Sequence, residues 1–223
     1  MLILALDAST SATTVALARA EEDGREVLAE VSVAARGASE ALLPAAHAAL
    51  ALAGEDLSSV ERVLAGVGPG TFTGIRIAAA TARALSLGTG AALSKNSTLA
   101  ALAAPALFCS GVVLAVLDAK RGQVFAQGFS EGRPTTGISC SRPEELSVQG
   151  DPLVIGDGAV RYRGSLAVLG GIPPDGSPLH RVTAVGHLLS GDLAPVPFEE
   201  LVPIYVRKPD AELLRDLNAW SRP

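Results

Sequence analysis

The run VGPGTFTGIRIAAATARALSL, Val67 to Leu87, decides the fold of this 223-residue chain. The apolar segment Val63–Ala65 leads into it, Gly68, Pro69, Gly70 and Gly74 punctuate it, and a small-residue helix closes it. Strand, glycine-rich loop, helix is the order that sets a loop at the carboxyl end of a strand, where open α/β sheets build their sites. The three glycines permit backbone conformations and close approaches that a Cβ would block. Thr71 and Thr73 are both suited to cap the helix, whose first N–H groups form a candidate anion site. The loop is not a P-loop, because Ile75-Arg76 stands where that motif needs Lys and Ser/Thr.

Upstream of this run, Leu2–Leu6 is apolar on both faces, as a central strand buried on both sides would be. Thr13–Arg19 and Val27–Val33 read as two more strands around the polar turn 21–25, so the domain opens as a meander. A helix is predicted from Ser39 to Ala53, with Leu42, Leu43, Ala46 and Leu50 on one stripe and Pro44 near its start. Val60–Ala65 is the strand feeding the loop. After the loop, the predicted helix Ile75–Leu87 repeats Gly74, Ala78 and Ala82 every four residues, a stripe that lets a second helix approach closely. That helix belongs either to the same chain or to a partner, and the pattern leaves both open.

Further on, a strand at Ala91–Leu93, a helix from Ser97 to Leu107, and strands Val112–Leu117 and Gln123–Phe129 are predicted. The last two flank Asp118-Ala119-Lys120-Arg121-Gly122, a hairpin tip that reads as a solvated turn or as a contact for a partner or RNA. A short helix at Pro143–Leu146, a strand at Leu153–Ile155 and a tight turn at Gly156–Gly158 come next. A helix at Thr183–Leu189, a strand at Leu201–Val206 and a terminal helix at Glu212–Trp220 complete the reading. No solenoid repeat or low-complexity linker interrupts it.

Apolar residues make up 48% of the chain but aromatics only 4%, which favours closely packed helices over an aromatic-rich core. The net charge is −5 with no block of like charges, which excludes a basic surface that grips nucleic acid unaided. Cys109 and Cys140 form no CxxC pair and are expected to be buried or inert thiols in a reducing compartment. The N-terminus enters a strand without a basic lead, so no signal peptide is expected. The uncharged window 96–117 is broken by Pro105 and Gly111, so no membrane span is expected either.

Asp7-Ala8-Ser9-Thr10-Ser11 follows the first strand and resembles the phosphate-contacting turn of the actin, hexokinase and sugar-kinase superfamily. Asp7, Ser9 and Thr10 form a candidate phosphate turn, an acid for Mg²⁺ with hydroxyls and N–H groups for phosphate oxygens. The competing reading is an Asx/Ser turn leaving a strand. His47, His180 and His187 show no metal-ligand spacing, and His47, beside Leu43 and Leu50, reads as a core or interface histidine. No GxSxG elbow is present, so neither a metal site nor a nucleophile is predicted.

Four stretches taken together resemble the bacterial TsaB (YeaZ) family. They are Leu4-Ala5-Leu6-Asp7-Ala8-Ser9-Thr10, Gly68-Pro69-Gly70-Thr71-Phe72-Thr73-Gly74-Ile75-Arg76-Ile77, Leu117 to Phe125, and Pro203-Ile204-Tyr205-Val206-Arg207-Lys208-Pro209. The second is the most specific. The resemblance implies an α/β, actin-like (ASKHA, ribonuclease H-like) fold of two lobes with mixed sheets flanked by helices. Residues 1–95 would form the first lobe, completed by a C-terminal helix 207–220, and 96–206 the second.

The resemblance also implies a cytoplasmic, non-catalytic subunit of the complex that adds threonylcarbamoyl to the adenosine next to the anticodon of ANN-decoding tRNAs. In that complex the transferase TsaD carries an HxxxH metal motif after its own GPG loop. Here Ser97-Thr98-Leu99-Ala100-Ala101-Leu102 stands in that region, with no histidine. TsaD would be the heterodimer partner, TsaE the associated ATPase, and tRNA would be reached through the complex, with a homodimer forming when the chain is alone. No cofactor is implied beyond weak nucleotide binding at the complex interface. Partner contacts are assigned to Leu42, Leu43, Ala46, Leu50, Gly74, Ile75, Ala78 and Ala82, so Ala78→Arg is expected to break the dimer and spare the monomer. Many members carry His where this chain has Ala38, which removes any role for that side chain here. The competing functions are a metallo-glycopeptidase-like enzyme and an ATP-binding, kinase-like enzyme of the actin superfamily.

Overall fold

A computed structural model describes residues 1–22, 24–34 and 37–207. Its first half runs β1 (Leu2–Asp7), β2 (Thr13–Glu21), β3 (Gly24–Val33), α1 (Ala38–Ala53), β4 (Arg62–Gly66), α2 (Phe72–Thr89) and β5 (Ala92–Asn96). These strands form one mixed sheet in the order β3-β2-β1-β4-β5, with β2 antiparallel to its neighbours and β1, β4 and β5 parallel. The central strand β1 is buried along its whole length, which is why Leu2–Leu6 lacks polar alternation. Leu4 and Leu6 face the core under α1 and α2. Ile3 and Ala5 face the other side, where Ala184 and Leu188 cover them.

The second half runs α3 (Thr98–Ala103), β6 (Val112–Lys120), β7 (Gln123–Ser130), β8 (Arg133–Pro134), β9 (Ser139–Ser141), β10 (Leu153–Ile155), α4 (Asp157–Arg161), α5 (Arg163–Leu166) and α6 (Ala184–Ser190). The second sheet has the order β10-β6-β7-β8, with β9 also on β7 and β10 parallel to β6. It is built on the predicted hairpin, and its core joins Leu99, Leu102, Val113, Leu117, Phe125 and Ile155. Helix α6 packs on the first sheet and on α3, and the chain turns of the β2–β3 hairpin hold it: Arg25 donates to the Leu188 and Gly191 carbonyls.

Several expectations are corrected. The helix from Ser97 to Leu107 tightens to a 3₁₀ turn at Ala104–Phe108, because Pro105 has no N–H for an α-helical bond. Gly156–Gly158 is not a free turn but the start of α4, with Gly156 at φ 110. Leu201–Val206 forms no strand, and Ile204 N donates a single bond to Val67 O at 2.7 Å. Pro44 lies well inside α1 rather than at its opening. Cys109 is exposed rather than buried, while Cys140 is half-buried. The helix predicted at Glu212–Trp220, its role in completing the first lobe, and Lys208-Pro209 lie outside the described residues. No helix among the described residues is long and apolar enough to cross a membrane.

The stripes on α1 and α2 face inward. Leu42, Ala46 and Leu50 join Ala45 and Ala49 in the core, and Ala78 and Ala82 meet them there. Gly74 and Ile75 are buried as well. The neighbour that the small-residue stripe admits is therefore in the same chain. Of the eight residues assigned to partner contact, only Leu43 is exposed. One residue along a helix is a rotation of about 100°, which turns Leu43 away from Leu42 and out to solvent beside His47. His47 is exposed, not a core histidine.

Candidate functional site

Asp7 ends β1 with its side chain fully buried. One carboxylate oxygen accepts from the Ser9 amide and from the Ser9 hydroxyl, both at 2.6 Å. The other accepts from Thr98 Oγ1 at 3.0 Å and from His187 Nε2 at 2.8 Å. A carboxylate offers about four lone-pair sites, so the acceptor capacity of Asp7 is filled. Burial by itself pushes the Asp7 carboxyl up, but the hydrogen bonds from His187 and Ser9 outweigh it and hold the group below the usual carboxylate range. With Asp7 ionised, His187 Nε2 carries the donated proton, and its Nδ1 is buried without a hydrogen-bond partner.

Of the candidate phosphate turn, Asp7 and Ser9 thus bind each other, and Thr10 only closes a local turn with Ala12 through long contacts of 3.5 Å. Sequence reasoning missed Thr98, His187 and Gly66. A Cβ on Gly66 would lie 2.6 Å from Asp7 Cγ and 2.8 Å from His187 Nε2, so this glycine admits the pair. The signal available was His187 itself, a lone polar residue between Ala184 and Leu188 on the buried face of a short helix.

The glycine-rich loop closes over the same turn. Gly68-Pro69 is a cis peptide. Thr71 N donates to Ser9 O at 2.7 Å and Thr98 N donates to Gly68 O at 2.8 Å. A Cβ on Gly70 would lie 2.7 Å from Ser9 Cβ, and one on Gly74 would overlap the Ala8 carbonyl oxygen. Thr71, not Thr73, caps α2, its hydroxyl accepting from Gly74 N at 3.3 Å. Phe72 points outward, with the Arg76 guanidinium 3.6 Å from its ring centroid and Arg76 Nε donating to Tyr205 Oη at 2.8 Å. The loop is therefore occupied by its own chain on the inner side and by an Arg–aromatic cluster on the outer.

The outer faces of α1 and α2 carry Leu43, Leu52, Ala80, Ala84 and Leu87, with Leu52 and Leu87 each 75% exposed. At the β6–β7 hairpin, Asp118 is buried rather than solvated: its N–H donates to Asp157 Oδ1 at 2.9 Å, and its carboxylate takes Lys120 Nζ at 2.8 Å. Burial pushes Asp118 up, but Lys120 and Arg161 pull it net below the usual range. Asp157, buried beside it, is pushed up. Among the described residues no group of three or more His, Cys, Asp or Glu side chains is placed to hold a metal ion.

This geometry can be set beside known proteins. Residues 31–146 match the family described as tRNA N6-adenosine threonylcarbamoyltransferase, TsaD. An uncharacterized protein of Mycobacterium bovis is 32% identical over 213 residues, 95% of this chain and 94% of its own length. The tRNA threonylcarbamoyladenosine biosynthesis protein TsaB of Escherichia coli is 36% identical over 127 residues, 56% of this chain but only 53% of its own. YeaZ from Pseudomonas aeruginosa superposes with a TM-score of 0.73 at 29% identity, covering 92% of this chain and 99% of that one. The two helix-flanked mixed sheets are those of the actin-like fold. From the family match, the full-length likeness to YeaZ and the shared loop, the chain belongs to the TsaB (YeaZ) family.

Proposed function

We infer that this chain serves tRNA threonylcarbamoyladenosine biosynthesis in the cytoplasm as a non-catalytic subunit that binds the paralogous transferase, TsaD. The observation that carries the non-catalytic part is the saturation of Asp7. Its four acceptor positions are taken by Ser9, Thr98 and His187, in space that the missing side chain of Gly66 provides. A kinase-like reading needs that carboxylate to hold metal-bound phosphate. A metallo-glycopeptidase reading needs a histidine pair of the HxxxH type, and the sequence has none.

The binding part is supported by the outer faces of α1 and α2, where Leu43, Leu52, Ala80, Ala84 and Leu87 stand in water with few charges among them. In this reading residues 1–95 form the docking lobe and 96–206 the second lobe. TsaE joins as an ATPase, tRNA is met through the complex, and two copies pair through the same helices when the transferase is absent. The test is tRNA modification reconstituted from TsaD, TsaE and the donor-making synthase, with and without this chain. Modification that needs the chain, and co-elution with TsaD that Ala80→Arg abolishes without lowering the melting temperature, are expected. Modification independent of the chain would sink the reading. Ala78→Arg is unsuitable as the interface probe, since Ala78 is fully buried and arginine there would unfold the lobe.

A further inference from the structure

Three separate segments bring cationic side chains to one end of β6. Lys120 and Arg121 stand in the hairpin turn, Arg161 ends α4, and Arg207 donates to the Ala119 carbonyl at 3.0 Å. Lys120 Nζ and Arg161 Nη1 lie 2.8 and 3.6 Å from the same Asp118 oxygen. The Asp118 side chain is 4% exposed, whereas those of Lys120 and Arg161 are 66% and 60% exposed. The carboxylate is thus the floor, and the cations stand above it in water. Asp157 Oδ1 accepts from the Asp118 N–H at 2.9 Å, so two carboxylates stand beneath the four cationic side chains of this end. The result is a cationic island on a chain whose net charge is −5.

The backbone favours the same conclusion. Lys120, Arg121 and Gly122 sit at φ 64, 56 and 75, the left-handed region in which glycine or asparagine is the unstrained occupant. Two cations are held there instead, and the Asp118 carboxylate fixes the turn by accepting from Lys120 N at 2.9 Å. A two-residue loop between paired strands takes positive φ at both of its residues, so the turn geometry holds Arg121 out at the tip beside Lys120.

We propose that Lys120, Arg121 and Arg161 form a contact for the phosphodiester groups of RNA, the tRNA substrate of the assembly inferred above. The proposal rests on that reading. Guanidinium forks match phosphate oxygens, and the acidic remainder of the chain repels a polyanion, so RNA approaches at this end. Each phosphate contact contributes roughly 0.7 to 0.9 to the slope of log K against log salt.

The experiment is fluorescence anisotropy of a labelled tRNA transcript, run across a salt series with the chain alone and with its complex with TsaD. The variant is Lys120→Asn/Arg121→Asn, since asparagine keeps the left-handed turn and removes both charges. Arg161→Gln, which leaves the turn untouched, is the second. Loss of roughly tenfold in affinity near 0.1 M salt and a fall of about 1.5 in slope are expected for the double variant, with about half that slope change for Arg161→Gln. Unchanged affinity and slope in variants that still co-elute with TsaD would overturn the RNA contact while leaving the assembly reading intact. So would variants that bind tRNA normally but lose TsaE, which would assign the island to a protein. Wild-type chain that never co-elutes with TsaD would instead sink the assembly reading, and the titrations with the chain alone would then decide the contact.

Discussion

Gly74→Ala sets two effects of one methyl group against each other. In an ordinary helix position the change stabilises by about 1 kcal/mol, because glycine loses more backbone entropy on folding. Here the added Cβ would overlap the Ala8 carbonyl oxygen and lie 2.6 Å from the Thr71 hydroxyl. Ala8 is backbone of the turn that Asp7 and Ser9 hold, so it cannot give way cheaply, and moving Thr71 breaks the cap of α2. Overpacking typically costs about 1–3 kcal/mol and loss of an N-cap about 1 kcal/mol. The clash wins, with a net loss of about 1–3 kcal/mol. For a protein of this size that is a fall in Tm of about 2 to 12 °C. Gly88, on the same helix, has nothing within 4 Å of its would-be Cβ, so Gly88→Ala serves as the control and is expected to hold or raise Tm by up to about 4 °C. Calorimetric melts of the two variants check the ordering. A Gly74→Ala protein that melts as high as Gly88→Ala would refute the packing of the loop against the first turn.

Asp7→Asn places an amide N–H among donors and leaves part of the Ser9, Thr98 and His187 set without an acceptor, at a cost of about 1–3 kcal/mol at neutral pH. Because the folded Asp7 carboxyl is held below its usual range, the wild-type advantage is complete above about pH 4 and is lost as pH falls through the lower folded value. Urea unfolding of both proteins from pH 7 downward checks this, and a gap that stays constant into strong acid would contradict the linkage. Thr71→Val should cost about 1 kcal/mol and Thr71→Ser much less, read from the same denaturation curves, since only the hydroxyl caps α2. With a thiol reagent on the native protein, Cys109 should react first and Cys140, whose thiol burial pushes up, should lag. A fast phase that survives Cys109→Ser would show the assignment to be wrong.

Much of the architecture was legible because burial on both sides leaves a plain record. Leu2–Leu6 and Leu153–Ile155 read as strands from unbroken apolar runs, and the glycine loop marked the strand-to-helix crossing. What escaped has physical reasons. Strands of two and three residues, Arg133–Pro134 and Ser139–Ser141, are too short for a period-2 pattern to register. Leu201–Val206 has strand composition, but Pro203 removes a donor in its middle and no ladder forms. The inward face of α1 is written largely in alanine, Ala45, Ala46 and Ala49, a weak hydrophobic signal that let the larger Leu43 attract the reading. His187 lies far along the chain from Asp7, and no local pattern couples them.

The two sheets carry the same device, and its state bears on function. Each of β1 and β6 opens an antiparallel hairpin and takes a parallel strand on its other side, β4 and β10, after which the chain turns on glycine into α2 or α4. β1 ends in Asp7 and β6 carries Asp118 two residues before its end, the strand end where a fold of this kind can present acid to a metal-bound phosphate. Both are engaged inside the chain. Asp7 is closed by His187, Ser9 and Thr98, and Asp118 by Lys120 and Arg161. An enzyme needs a carboxylate with open lone pairs and room beside it. A docking subunit needs a stiff frame behind its helices, and the Asp7 carboxylate, which ties β1 to Thr98 of α3 and His187 of α6, contributes to one. The neutralised acids and the apolar outer faces of α1 and α2 therefore argue for the same role from opposite ends of the fold.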